Sequence, residues 1–165
     1  MKTILPCLFA FAFLFTGCRR EHQANFSKDL KEKLEYAIQN FEPQNKAFIL
    51  NVKAINDETV FQIVHRSYAE QTRHKNDSFG FALQLTFPGH FQTMRAYEKF
   101  KASSLPDDFV YYTYESIPCY VIDLDKDVAR TISLTETLLI DIYDFKDISQ
   151  FTSEISDEGE VKDWM

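Results

Sequence analysis

Glycine and proline are scarce in this chain, four and five in 165 residues, and cysteine occurs three times. So few turn-formers exclude a collagen-like or low-complexity chain. Long apolar runs are also missing: residues 4–15 form one, and no second follows. That run is shorter than the ~20 residues a spanning helix needs, and Arg19, Arg20 and Glu21 close it, so no transmembrane helix is expected. No Gly-rich phosphate loop, nucleophile elbow or Ser-Lys pair occurs, and no cofactor is expected. His22, His65, His74 and His90 lack the HxxxH, HxH or CxxC spacing of a zinc site. A basic stripe is absent too, which argues against nucleic acid as a partner.

What is present begins at the N-terminus. Lys2 is a short positive region, and residues 4–15 carry no charge over the length of a signal-peptide core. Phe15-Thr16-Gly17-Cys18 follows, a bulky apolar residue and two small ones before a cysteine. This junction resembles the lipobox of bacterial lipoproteins, with Phe15 where that family prefers leucine. The resemblance implies cleavage before Cys18, diacylglycerol on its sulfur, and acylation of the new amino terminus. It divides the chain into a signal peptide (1–17), a lipidated tether (18–26) and one α+β domain (27–165) with an acidic C-terminal end. The membrane is then a partner through the lipid anchor. Each buried CH₂ contributes about 0.8 kcal/mol, and three acyl chains hold stably where one does not. The location implied is the bacterial cell envelope, with Arg19 favouring the outer membrane. The plainer alternative is an ordinary secretory signal with Cys18 as a simple thiol.

With Cys7 in the leader and Cys18 lipidated, Cys119 is alone in the mature chain and no intramolecular disulfide can form. It lies in the apolar run 117–122, which suits a buried thiol in an oxidising compartment. The formal charge of −7 is uneven, since residues 135–165 hold nine acids and two bases while the body before them is near neutral.

Periodicity sets the expected elements. Ser27 is a candidate N-cap for an amphipathic helix over 28–41, with Leu30, Leu34, Ile38 and Phe41 on one stripe and Pro43 as its stop. Alternation over 47–55 and 59–68 predicts a β-hairpin, and 78–87 alternates most cleanly. Residues 69–77 read as a polar loop. Phe91, Met94, Tyr97 and Phe100 recur every third residue, favouring a short helix over a strand. A second hairpin is expected over 109–115 and 119–124, and a third over 128–134 and 137–145. The last twenty residues are acidic and read as a segment prone to fray, with Phe151, Ile155, Val161 and Trp164 as pins. Sixteen phenylalanines and eight tyrosines suit an aromatic-rich sheet. One helix with seven or eight strands in neighbouring hairpins gives an α+β fold: the N-terminal amphipathic helix packed on a curved, mostly antiparallel sheet. A closed β-barrel with a flanking helix is the rival.

Three features carry candidate chemistry. Asp123, Asp125 and Asp127 match the first three acidic positions of a calcium loop, but Val128 replaces its glycine and Leu134 its terminal glutamate, leaving a weak cation site or a solvated turn. Cys119 with His65 or His90 is the one nucleophile–base pair that folding alone would assemble. Tyr111, Tyr112 and Tyr114 place tyrosines on both faces of one strand, a recognition surface for protein, peptide or glycan, or simply an edge with wet hydroxyls. Together these point to a non-enzymatic binding or accessory module with an envelope protein partner. The alternatives are a carrier of a hydrophobic small molecule and an inhibitor or immunity-type lipoprotein.

Overall fold

The computed structural model describes residues 12–69, 79–89 and 91–161, the side chains of 12–24, 91 and 92 apart. The leader up to residue 11, the side chains of Cys18 and His22, the loop 70–77 with His74, and also His90 and Trp164 lie outside the described residues.

Helix α1 spans Ala12–Asn40 and buries Phe26, Leu30, Leu34 and Ala37 on one stripe, as the periodicity requires. Its stop is a 3₁₀ turn, Glu42–Gln44, with Pro43 at the start and Asn45 left-handed at φ 51°. Ser27 is not the N-cap expected of it. It lies inside the helix, and its hydroxyl donates to the Glu136 carboxylate.

Strands β1 (Lys46–Lys53) and β2 (Thr59–His65) form the first hairpin, and β3 (Phe81–Thr86) pairs antiparallel with β2. Helix α2 (Phe91–Ala102) leads to β4 (Val110–Tyr114) and β5 (Ile117–Asp125), which form the second hairpin. Helix α3 (Val128–Thr137) runs into a π turn at Leu138–Ile142, and β6 (Thr152–Glu160) ends the fold. The six strands make one antiparallel sheet in the order β4-β5-β3-β2-β1-β6. β4 and β6 sit at opposite ends, so the sheet is open and the closed-barrel alternative is excluded.

The alternation seen in the sequence divides the two faces. Phe48, Leu50 and Val52 of β1, Phe61 and Ile63 of β2, Leu83 and Leu85 of β3, and Ile122 and Leu124 of β5 form the main core with the three helices. The opposite face carries a smaller cluster of Val64, Ala82 and Val121, against which Ile49, Val110 and Tyr112 pack.

Two further expectations need correction. The third hairpin is instead α3 and its π turn. Its β-branched residues favour a strand, but Thr131 and Thr135 are fully buried on a helical stripe with Leu138, Leu139 and Ile142. The Thr131 hydroxyl satisfies itself by donating to the Asp127 carbonyl at 2.7 Å. The acidic end, read as prone to fray, is over its described residues a strand instead: it is β6, which pairs with β1 from Lys53↔Thr152 to Lys46↔Glu160. Lys53 and Lys46 meet Glu154 and Asp157, each at 2.5 Å, and Phe151 and Val161 are buried at its two ends. Among the described residues the strand count is therefore six rather than seven or eight.

Candidate functional site

The β4–β5 hairpin is closed by Glu115-Ser116, both at positive φ (48° and 68°), the signature of a type I′ turn. A two-residue turn fixes the register Tyr114↔Ile117, Tyr112↔Cys119 and Val110↔Val121. It also sets the tyrosines' directions. Tyr111 points to the helix side, where its ring lies 5.1 Å from that of Tyr120. Tyr120 in turn packs on Phe100 at 4.8 Å and on Tyr97 at 6.4 Å, and Lys101 sits over the Tyr97 ring at 5.2 Å. Tyr111 is 54% exposed on this aromatic bed, and Tyr114, at 63%, stands beside the turn. Burial, and then hydrogen bonding with Tyr97, push the Tyr120 phenol up to about 12.

Tyr112 belongs to the other face and is half-buried, unlike its two neighbours. Gln84 donates from its side-chain amide to the Tyr112 hydroxyl. Burial and then the adjacent Cys119 raise that phenol to about 12. One cross-strand row runs Val110, Val121, Gln84, Gln62, Asn51 and Glu154, and Gln62 donates to the Asn51 side chain at 2.8 Å. The face thus combines amides, apolar residues and the phenols of Tyr112 and Tyr68.

Cys119 is buried on this face, and its thiol lies 3.4 Å from the Ile117 carbonyl, to which it donates. Burial pushes the thiol pKa up, so it stays protonated at neutral pH. His65 projects to the opposite, helix-covered face, against Phe48 and Phe79. The sheet therefore separates Cys119 from His65, and a nucleophile–base pair between them does not form.

The three aspartates do not share a cation site. Asp123 and Asp125 both take the Arg66 guanidinium, Asp123 at 2.5 Å. Asp127 caps α3 by accepting from the Arg130 amide at 2.8 Å. Among the described residues, no group of three metal-ligating side chains converges. Arg66 is 6% exposed: burial opposes its charge, and the hydrogen bonds to Asp123 and Asp125 outweigh that and raise its pKa. It threads past Gly80, where a Cβ would stand 2.7 Å from Nε. Arg66 and Gln84 escaped the sequence reading. The glycine inside a strand-like alternation was the signal available, because such a position marks a close approach.

A cleft of about 230 Å³ opens between the 3₁₀ turn Leu105–Asp108, β5 and α3. Leu105, Phe109, Ile122 and Leu134 line it, with Asp108 and Arg130 also at its walls. It is smaller than the roughly 300–1,000 Å³ usual for ligand pockets.

No helix among the described residues is long and apolar enough to cross a membrane. The chain matches no family model, no curated protein and no solved structure.

Proposed function

We propose that this chain is a lipid-anchored, non-enzymatic binding module of the bacterial cell envelope, and that its β4–β5 hairpin is the recognition surface for an envelope protein. The observation that carries the reading is the hairpin itself. Tyr111 and Tyr114 are exposed on an edge strand, and Tyr111 rests on a packed aromatic bed. Tyrosine held this way gives contact area at low entropic cost. The anchor rests on the lipobox-like residues 15–18, with lipid on Cys18 and the outer membrane as the favoured site.

Crosslinked membranes from cells making the wild-type chain are expected to yield a partner protein that the Tyr111→Ala/Tyr114→Ala double variant loses. Recovery of nothing above background, or equal recovery by the variant, refutes the reading. Cys18→Ala tests the anchor separately: it is expected to leave an uncleaved or soluble species. Unchanged mature mass and detergent partitioning would dismiss the lipid.

The carrier reading has the cleft beside Ile122 and Leu134 as its support. Native mass spectrometry of an unlipidated form decides it, since a carrier copurifies with its ligand.

A further inference from the structure

The two edges of the sheet are built differently. β6 carries Glu154, Asp157, Glu158 and Glu160 along nine residues. Charge of this density protects an edge from pairing with another strand. β4 is Val-Tyr-Tyr-Thr-Tyr, with no charge and no proline.

The hydrogen-bonding pattern of β4 follows from its turn. Pro118 has no amide hydrogen, and its carbonyl accepts from the Phe87 amide, so it faces β3. Its partner Thr113 is therefore a non-hydrogen-bonded position of the β4–β5 ladder, as is Tyr111 two residues earlier. The amide and carbonyl of Tyr111 and of Thr113 point outward from the sheet. Four backbone groups at strand spacing are thus presented at an uncharged edge.

The ends of this edge share one sign of charge. Asp107 and Asp108 precede β4 and Glu115 follows it, all exposed and none ion-paired among the described residues. A second copy pairing antiparallel about Tyr112 would bring Asp108 close to the partner's own turn acid. The charges thus disfavour self-pairing and favour a strand with a basic residue at each end.

We infer that β4 is a strand-addition edge that takes an extended segment of a partner protein, uncharged and β-branched in its middle and flanked by lysine or arginine. This rests on the proposed function above and deepens it, assigning recognition to the backbone of Tyr111 and Thr113 as well as to the tyrosine side chains. Main-chain bonds supply affinity in this mode, and alternate side chains supply selectivity.

The probe is a blocked heptapeptide of alternating valine and threonine with a lysine at each end, titrated into the full chain in detergent. Saturable binding is expected below about 1 mM. A version with glutamate at both ends is expected to bind at least tenfold more weakly, and added salt to narrow that gap, on the order expected for screened surface charges. Each lost backbone bond is worth about fivefold in affinity, so N-methylation of every internal peptide amide is expected to abolish binding. Thr113→Pro removes an outward amide without breaking the β4–β5 ladder, and proline is tolerated at such an edge position. It is expected to keep the wild-type circular dichroism and to bind the peptide at least about fivefold more weakly. Should that variant not fold, the N-methylated peptide on the wild-type chain decides.

No saturable binding up to about 1 mM overturns the inference. So does binding that survives both N-methylation and Thr113→Pro but is lost in Tyr111→Ala/Tyr114→Ala. That second result leaves the tyrosine surface standing and removes only strand addition. Concentration-dependent dimerisation that Thr113→Pro abolishes also overturns it, in favour of a second copy.

Discussion

His65 makes the fold's stability depend on pH in a way that one substitution isolates. The residue ends β2 and is 1% exposed. Its Nδ1 accepts from the Ser67 amide at 3.2 Å and lies 2.8 Å from the Ser67 hydroxyl. Phe48 and Phe79 meet its ring edge to face, at 6.0 Å and 5.3 Å. Burial first, and then the neighbouring Arg66 charge, lower its pKa from 6.5 to about 4. The unfolded chain takes up this proton as pH falls through about 6.5, and the native chain does not until about 4. Between those values the unfolded state binds more protons, so stability falls as pH falls. The contribution is complete above the upper value and lost progressively toward the lower one. A shift of this size corresponds to about 3 kcal/mol over the whole window, most of which falls between about pH 7 and pH 4.5.

Urea unfolding followed by far-ultraviolet circular dichroism measures this directly on the wild type and on His65→Gln at about pH 7 and pH 4.5. Carboxylates that lose their partners in acid, Asp29 among them, act in both proteins and cancel in the comparison. The wild type is expected to lose about 2–3 kcal/mol more than the variant on acidification, whatever the substitution costs at neutral pH. Equal losses in the two proteins, within about 0.5 kcal/mol, would refute the assignment of a buried neutral imidazole.

Three further predictions follow from single contacts. Gly80→Ala forces Arg66 off its path past residue 80, and with the guanidinium's pairing to Asp123 disturbed it is expected to lower stability by about 2–4 kcal/mol in the same assay. Asp127→Ala removes the cap on the Arg130 amide and is expected to cost about 1 kcal/mol, while Asp127→Asn or Asp127→Ser restores most of it. Tyr143→Phe deletes a buried hydroxyl that has no partner among the described residues, between the Phe61, Phe87 and Phe145 rings. It is expected to be neutral or to raise stability by about 1–2 kcal/mol, whereas a loss of that size would reveal an unseen partner for the hydroxyl.

The elements legible in the sequence are those whose period is written in apolar side chains. The stripe Leu30, Leu34, Ala37 marks α1, and the alternation from Phe81 to Phe87 marks β3. The stripe of α3 was hidden because two of its buried members, Thr131 and Thr135, are polar. A buried threonine that bonds its own helix looks, in sequence, like a strand residue on a wet face. β6 was hidden for the opposite reason. Its acids read as a solvated tail, and only the return of the chain beside β1 supplies Lys46 and Lys53 to receive Asp157 and Glu154. Such pairing is non-local, so no local pattern announces it. At the candidate site the tyrosine-rich strand was legible, but which of Tyr111, Tyr112 and Tyr114 are exposed was not: Tyr112 is half-buried and meets Gln84, a residue of β3 with no distinguishing context of its own.

Placing the acidic segment in the sheet changes what the charge distribution means. A fraying acidic tail leaves a second open edge beside β1, whereas β6 occupies that position and carries its own acids to the end of the sheet. Four of the nine acids in residues 135–165 lie on β6 and guard that edge, and β4 is left without charge along its length. Edge protection by charge is effective only where it is applied. A chain that protects β6 with four acids and leaves β4 as five uncharged residues, three of them tyrosine, presents a single face of the sheet's hydrogen-bonding plane to other strands. The rigid type I′ turn and the aromatic bed under Tyr111 hold that edge in strand geometry before any partner arrives, so ordering β4 adds little to the entropic cost of docking. The same preorganisation is why Thr113→Pro separates the two modes of recognition: it alters one outward amide and leaves the tyrosine side chains where they are.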